Sequence, residues 1–192
     1  MLSSVSGGCV AAMKKKFQHL ALAAALGLTS LAAQAATVVV DVSGAQSVNL
    51  QGENGNTIWL IDIGANMALT SLDWTVSLSA FSPSVLAEMQ VSFGNSSGSN
   101  LLTFTPGAAD YVSGNGSYSG SLDLSGYGVG SGGDGKLRIE FSEGYKDLGV
   151  GVAEGQWVSG SLTFGVSAVP EPASVALLLL GLGVVGGAAR RR

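Results

Sequence analysis

Apolar and polar residues alternate without a break along Ser71-Leu-Asp-Trp-Thr-Val-Ser-Leu-Ser-Ala80, and this segment is the strongest indication of the fold. The even-numbered residues are apolar: Leu72, Trp74, Val76, Leu78 and Ala80. The odd-numbered residues are polar: Ser71, Asp73, Thr75, Ser77 and Ser79. Successive side chains of a β-strand point to opposite faces of its sheet. The pattern therefore predicts a strand with one face in a core and one face in water.

The same alternation recurs on both sides of this stretch. It marks strands at residues 88–93, 117–124, 136–141 and 161–166, and shorter apolar runs add residues 37–40, 47–50, 57–61 and 101–105. Gly, Asn, Ser and Asp separate these runs, and a single helical turn is expected near residues 82–86. Strands of this length with such turns predict an all-β protein, an antiparallel β-sandwich of jelly-roll type spanning residues 36–168.

Charge and residue content exclude several classes of function for this predicted domain. Residues 36–169 contain twelve acidic and three basic residues, so the domain lacks the cationic surface that nucleic-acid binding needs. The one histidine of the chain, His19, and its one cysteine, Cys9, both precede the domain. Catalysis by a histidine-activated nucleophile and histidine- or cysteine-based zinc sites are thereby excluded, and we expect no enzymatic activity.

The region before the domain has the pattern of a secretory signal peptide over residues 13–35. Three lysines follow Met13, a short apolar run follows them, and small residues close the segment. Signal peptidase reads small residues before its cleavage site, so we expect cleavage after Ala35 and a mature chain that begins at Ala36. The alternative, an amphipathic first helix of a cytosolic domain, is disfavoured because the apolar run has no polar face. Residues 1–12 are then a mis-assigned upstream start, and Met13 is the better initiator.

After the domain, residues 169–192 combine three elements. Val169 is followed by the triplet Pro170, Glu171 and Pro172, then by 17 apolar and small residues at 173–189, then by Arg190, Arg191 and Arg192. As a helix, 17 residues would span about 25 Å, close to the ~30 Å of a bilayer core. The apolar run predicts a transmembrane helix, and the arginines predict a basic stop that stays in the cytoplasm, leaving the domain outside.

These three elements in this order resemble the PEP-CTERM sorting signal of Gram-negative bacteria. The resemblance covers about residues 169–192. It implies that Pro170, Glu171 and Pro172 are recognised by an exosortase, with the span and the arginines as a temporary membrane anchor. The expected route is then export, transient anchoring in the inner membrane, and transfer to the outer membrane, the cell surface or the medium. An ordinary single-span tail anchor is the alternative.

Two ligand classes are compatible with the domain. Its carboxylate and amide oxygens are the kind of ligand that Ca²⁺ prefers, although no linear Ca²⁺-binding loop occurs. The alternative is that these residues are ordinary solvent-exposed side chains that bind no ion. The donors are Asn115, Asp123, Asp134, Glu140, Glu143, Asp147 and Glu154. For carbohydrate, Trp157 is the candidate for an exposed stacking surface, since the patterns around Trp59 and Trp74 favour the core.

Two functions follow from the sequence. The first is a structural or adhesive surface or matrix protein that associates with exopolysaccharide, as in a biofilm. The alternative is a secreted module that binds carbohydrate or Ca²⁺. The expected processing partners are signal peptidase and an exosortase. No cofactor is expected unless the acidic residues bind Ca²⁺.

Overall fold

The structure is a computed structural model that describes residues 36–169, 179–183 and 186. The described domain consists of β-strands and one 3₁₀ turn at Leu86–Glu88. Its strands are β1 (Ala36–Asp41), β2 (Gln46–Ser47), β3 (Thr57–Asp62), β4 (Met67–Ala80), β5 (Met89–Asn95), β6 (Leu101–Phe104), β7 (Gly114–Asp123), β8 (Lys136–Glu143) and β9 (Gly155–Ala168).

The strands form two sheets in which all paired strands are antiparallel. Sheet A has the order β1-β9-β4-β7, with β2 pairing the start of β9, and sheet B has the order β3-β8-β5-β6. From β3 to β9, the chain crosses from one sheet to the other after every strand except β5, which is followed by β6 in the same sheet. This connectivity is that of a jelly roll, as the sequence predicts.

The predicted inward positions of β4 form the core. Leu72, Val76 and Leu78 are almost fully buried there, and they pack with inward residues of sheet B such as Ile139 and Phe141. Aromatic rings join the two layers, with Phe93 and Phe164 at a centroid separation of 5.1 Å. Burial of one face of each sheet therefore follows the period-2 pattern of the sequence.

Some predicted boundaries differ from the observed ones. β9 begins at Gly155, six residues before the predicted strand, because a bulge opposite Ser77 and Leu78 shifts the alternation of apolar residues. The predicted strand at 47–50 is reduced to β2, and the helical turn lies at Leu86–Glu88, later than expected. The loop after β2 leaves the sheet A edge and crosses the outer side of sheet B, where Gln51 accepts a hydrogen bond from Thr103 of β6 at 2.8 Å.

Most of the two predicted end segments lies outside the described residues. These include the signal peptide with Ala35, the triplet at 170–172 and the basic stop at 190–192. Residues 179–183 and 186 are helical, and they fall within the predicted transmembrane segment 173–189. Across the residues that are described, no helix has the length and apolar character needed to span a membrane. The transmembrane helix remains a prediction.

Candidate functional site

The outer face of sheet A is a broad surface of short polar side chains. The alternation that buries the apolar residues of β4 turns Ser, Thr and Asp outward, and β7 and β9 present the same residue types. Its outward side chains are Thr37, Val39 and Asp41 on β1, Ser161 and Thr163 on β9, Ser71, Asp73, Thr75, Ser77 and Ser79 on β4, and Asn115, Ser117, Ser119, Ser121 and Asp123 on β7. We call this set the hydroxyl face.

A shallow depression of about 270 Å³ lies near the centre of the hydroxyl face. The outward side chains of Asp73, Thr75, Ser119, Ser161 and Thr163 line it, together with Trp74 and Gly120. Gly120 pairs with Trp74, and a Cβ there would lie 2.4 Å from the indole, so this glycine leaves room for Trp74 on the inner side of the sheet. The site thus combines one carboxylate with four hydroxyls, groups that can accept and donate hydrogen bonds.

The carboxylates at two corners of the hydroxyl face stay ionised at neutral pH. Ser43 donates to Asp41 from its hydroxyl, and its backbone N–H donates at 2.9 Å, which together lower the pKa of Asp41. The backbone N–H of Ser125 donates to Asp123 at 2.9 Å and lowers the pKa of that carboxyl. Since the face carries no Lys or Arg, its formal charge is negative.

All three basic residues of the domain are already paired with carboxylates. Lys136 lies 2.8 Å from Asp62, Arg138 lies 2.8 Å from Glu140, and Lys146 lies 2.9 Å from Glu154. Residues 36–169 therefore present no unpaired basic side chain to a phosphate group.

Two of these acids are fully buried and hold loops in place. Burial alone would raise the pKa of Glu140, but hydrogen bonds from Arg138, Asn56 and the backbone of Gly52 outweigh it and lower the pKa. They also fasten the loop after β2 over sheet B.

Glu154 behaves in the same way in the loop between β8 and β9. Burial opposes its ionisation, but the N–H groups of Leu148 and Asp147 and the Lys146 ammonium outweigh that effect, so its pKa is lowered. Lys146 in turn donates to the carbonyl of Val152 at 2.9 Å and to that of Val48. Both acids are thus structural groups.

Glu143 is the exception among the buried carboxylates. It is 1% exposed, its Oε2 accepts from the Ser84 hydroxyl at 3.5 Å, and its Oε1 has no partner among the described residues. Burial, together with the negative charges of Glu154 and Glu88, raises its pKa to about 7. A carboxyl so enclosed is not open to a substrate.

The seven predicted Ca²⁺ donors are not brought together. Asn115 and Asp123 lie at opposite ends of β7, Glu140 lies beneath the loop after β2, and Glu143 and Glu154 are buried. Asp134 accepts a hydrogen bond from the backbone N–H of Lys136, and Asp147 is exposed in the loop after β8. In the described part of the chain, no group of three or more carboxylate, histidine or cysteine side chains is placed to hold a metal ion.

The prediction that Trp157 is exposed is wrong. Its side chain is fully buried and packs against Phe141 at a centroid separation of 5.0 Å. The loop that precedes Trp157 suggested exposure, but the bulge in β9 turns the indole inward. Trp59 and Trp74 are partly buried and pack against the core as predicted, Trp74 with Phe104 at 4.3 Å. Trp157 therefore offers no stacking surface for a sugar.

Sequence reasoning did not single out the hydroxyl face as a site. Its signal was present in the polar phases of the strands, which are also typical of ordinary solvated positions. Only the order β1-β9-β4-β7 places these positions side by side on one surface.

Comparison with known proteins identifies the region that follows the domain. The PEP-CTERM protein-sorting motif matches residues 168–192. Comparison with curated protein sequences gives no match.

Solved structures with some similarity are virus coat proteins. The VP2 subviral particle of infectious bursal disease virus is 12% identical, with a TM-score of 0.35, and the match covers 70% of this chain and 33% of that one. The coat protein of Tobacco streak virus is 13% identical, with a TM-score of 0.28, and the match covers 71% of this chain and 90% of that one. The chain thus matches only a third of the VP2 length.

The sorting motif begins where the jelly roll ends. β9 ends at Ala168, and the N–H of Val169 still donates to the carbonyl of Asn66 at 3.1 Å. The motif implies export, membrane-associated sorting and processing by an exosortase. The chain therefore carries a match to the PEP-CTERM protein-sorting motif directly after its jelly roll.

Proposed function

We propose that this protein is a structural or adhesive component of the cell surface or extracellular matrix, and that its hydroxyl face binds exopolysaccharide. The role is non-enzymatic. Signal peptidase removes residues 13–35, and the exosortase acts at or near Pro170, Glu171 and Pro172. The single observation that carries the proposal is the hydroxyl face on a domain that bears the sorting motif.

The chemistry of the hydroxyl face suits a polyhydroxylated polymer. Serine and threonine hydroxyls donate and accept hydrogen bonds as sugar hydroxyls do, and Asp73 adds a strong acceptor at the central depression. Short side chains lose little conformational entropy when they are ordered against a ligand. The two neighbouring acids, Asp41 and Asp123, disfavour anionic polymers, so the ligand class is a neutral or amine-bearing glycan.

The buried acids support a non-enzymatic role. Glycoside hydrolysis needs two carboxyl groups that reach the same substrate bond. Glu140 and Glu154 are fully buried and paired with Arg138 and Lys146, and Glu143 is enclosed. Asp73 is the one carboxylate that lines the depression.

Co-sedimentation with insoluble neutral glycans and with the exopolysaccharide of an exosortase-bearing host tests the binding proposal. Asp73→Lys places a long cation in the depression and should lower the bound fraction several-fold. Glu53→Lys makes the same charge change in an exposed loop outside the hydroxyl face and should leave binding unchanged. Equal binding by wild type and both variants would show that the hydroxyl face is not the glycan surface.

The sorting proposal has a separate test in cells. Glu171→Ala should leave a larger, uncut form in the inner membrane, as should the wild-type chain in a strain without exosortase. Ser174→Ala, just beyond the triplet, should be processed normally. If immunoblots of inner-membrane, outer-membrane and medium fractions show one identical band in all strains, the tail is an ordinary anchor.

The central depression favours the second candidate function, a secreted carbohydrate-binding module. A module of that kind recognises a short oligosaccharide in a defined site, whereas a matrix component needs only many weak contacts along a polymer. Calorimetric titration with oligosaccharides distinguishes the two. Saturable binding that Asp73→Asn abolishes would favour the module.

A further inference from the structure

Strand β7 is the outermost strand of sheet A on the side away from β1. All ten of its residues, Gly114–Asp123, pair with β4 in one continuous register, without the bulges that interrupt the pairing of β4 with β9. One edge of β7 is thus hydrogen-bonded to β4 over all ten residues. The backbone on the opposite edge is extended without a bulge over the same ten residues.

The backbone groups on that opposite edge belong to the odd-numbered residues. The N–H of Leu124 donates to the carbonyl of Thr70 at 3.0 Å, so the backbone groups of Leu124 point toward β4. In an antiparallel ladder, alternate residues direct their N–H and C=O groups to the same neighbouring strand. The odd-numbered residues between them therefore direct theirs away from the sheet: Asn115, Ser117, Ser119, Ser121 and Asp123. In the part of the chain that the structure describes, no backbone hydrogen bond reaches these outward groups.

β7 also lacks the features by which sheet edges avoid pairing with other chains. Lysine, arginine, proline, bulges and short length are the usual devices. β7 contains none of these residues, is ten residues long and has one charge, Asp123, at its end. The other edge strands are shorter: β1 and β3 have six residues each and β6 has four.

The outward residues of β7 complement a second copy of themselves. In an antiparallel pair centred on Ser119, Ser119 faces its counterpart, Ser117 faces Ser121 of the other copy, and Asn115 faces Asp123. Each of these pairs exchanges two backbone hydrogen bonds, because all five residues have outward N–H and C=O groups. The Asn115 amide then lies opposite the Asp123 carboxylate as a donor opposite an acceptor, and no two carboxylates face each other.

We propose that two copies of this protein associate through antiparallel pairing of their β7 strands, centred on Ser119. The pairing joins the two A sheets into one, with the hydroxyl faces of both copies on the same side. It is an isologous contact, so it closes as a dimer. A second copy is the occupant because the strand is self-complementary in the register that satisfies every outward group. The proposal is independent of glycan binding.

Disulfide capture in cells tests the register. Each variant is made in the full-length chain with Cys9→Ser, so that the introduced thiol is the one present. Residues directly opposite in a hydrogen-bonded antiparallel pair have Cα atoms about 5.5 Å apart, within disulfide range. Ser119→Cys should therefore form a covalent dimer on mild oxidation of intact cells, seen on a non-reducing immunoblot. Val39→Cys is the matched control, since Val39 is 66% exposed on the same face at the other edge of sheet A.

A co-expression experiment adds a test that random collision cannot satisfy. Ser117→Cys alone should cross-link poorly, because the two copies of residue 117 lie about 14 Å apart in this register. Ser117→Cys and Ser121→Cys chains with different tags should cross-link to each other when expressed together. Cross-linking of Val39→Cys equal to that of Ser119→Cys, or none by Ser119→Cys, would overturn the proposal.

A proline at the centre of the strand tests the role of the backbone. Ser119→Pro removes an outward N–H without removing a bond to β4, whereas Ser119→Thr keeps the N–H and the hydroxyl. The proline variant should lose most of the cross-link between residues 117 and 121, and the threonine variant should retain it. Both variants should keep the circular dichroism spectrum of the parent. A folded proline variant that cross-links fully would refute pairing through the edge of β7.

Discussion

At the scale of single residues, two ion pairs of the described domain place a carboxylate in the interior. Arg138 and Lys146 each form an ion pair with a carboxylate that is fully buried, and backbone N–H groups donate further hydrogen bonds to Glu140 and Glu154. Glu143 has no such cation, and its pKa of about 7 reflects that difference. The residue is therefore a source of pH-dependent stability.

Replacing Glu143 with glutamine should remove a pH dependence between pH 5 and pH 8. The folded-state pKa is raised above the unfolded value, so the folded state holds the proton more tightly and stability falls as pH rises through this window. With a pKa of about 7 against 4.5, the penalty at pH 8 is about 3 kcal/mol. Urea unfolding of the wild type and Glu143→Gln at both pH values measures it. Glu53→Gln, at an exposed position, is the control, and identical profiles for wild type and Glu143→Gln would contradict the assignment.

At the scale of elements, the bulge in β9 determines which side chains face the core. Ser77 pairs with Ser159 but Leu78 pairs with Trp157, so Val158 is the extra residue and is exposed. Gly160 lies beside the bulge with φ +116°, and a Cβ there would lie 2.1 Å from the carbonyl oxygen of Thr75. Backbone contact and a positive φ both require glycine at this position.

Gly160→Ala should therefore destabilise the domain far more than Gly44→Ala. Gly44 also has a positive φ, +85°, but nothing lies within 4 Å of the position that an alanine methyl group would take there, so that variant reports backbone strain alone. We expect a loss of about 3 kcal/mol or more for Gly160→Ala and about 1 kcal/mol for Gly44→Ala. Chemical denaturation of the two variants measures the difference. Equal losses would show that the contact with Thr75 is relieved by movement of the strand.

At the scale of the whole molecule, the domain is held by one core between two sheets. Its aromatic and aliphatic side chains fill that core, and the ion pairs fasten loops to it. The domain contains no cysteine, and its described carboxylates form no metal-binding group.

Its thermal stability should consequently be independent of calcium and of reducing agent. A site that binds Ca²⁺ in the folded state would raise the melting temperature as the ion concentration increases. We expect addition of Ca²⁺, of a chelator or of a reductant to shift the melting temperature by less than about 1 °C. Differential scanning calorimetry provides the measurement. A shift of several degrees with Ca²⁺ alone would revive a calcium site among the acids.

Much of the fold could be predicted from local pattern. The period-2 alternation of β4 indicates one buried face, and that local rule also gives the core-facing residues of β5 and β8. On those two strands, however, outward residues such as Ser92 and Glu140 are buried as well, which the alternation does not predict. The exposure predicted for Trp157 from the loop before it is wrong, because β9 extends back to Gly155 and a bulge in it reverses the phase of the residues before Ser159. A bulge depends on how two strands pair, which the sequence of one strand does not reveal.

Three properties could be predicted from the amino-acid sequence alone: an acidic all-β domain, the absence of histidine and cysteine from that domain, and the sorting signal after it. Those properties depend on composition, alternation and a linear motif, which are local. Three others required the folded chain: the hydroxyl face formed by four strands, the position of Trp157 in the core, and β7 as an edge strand. These features depend on strand order and register, which arise from contacts between residues far apart in the chain.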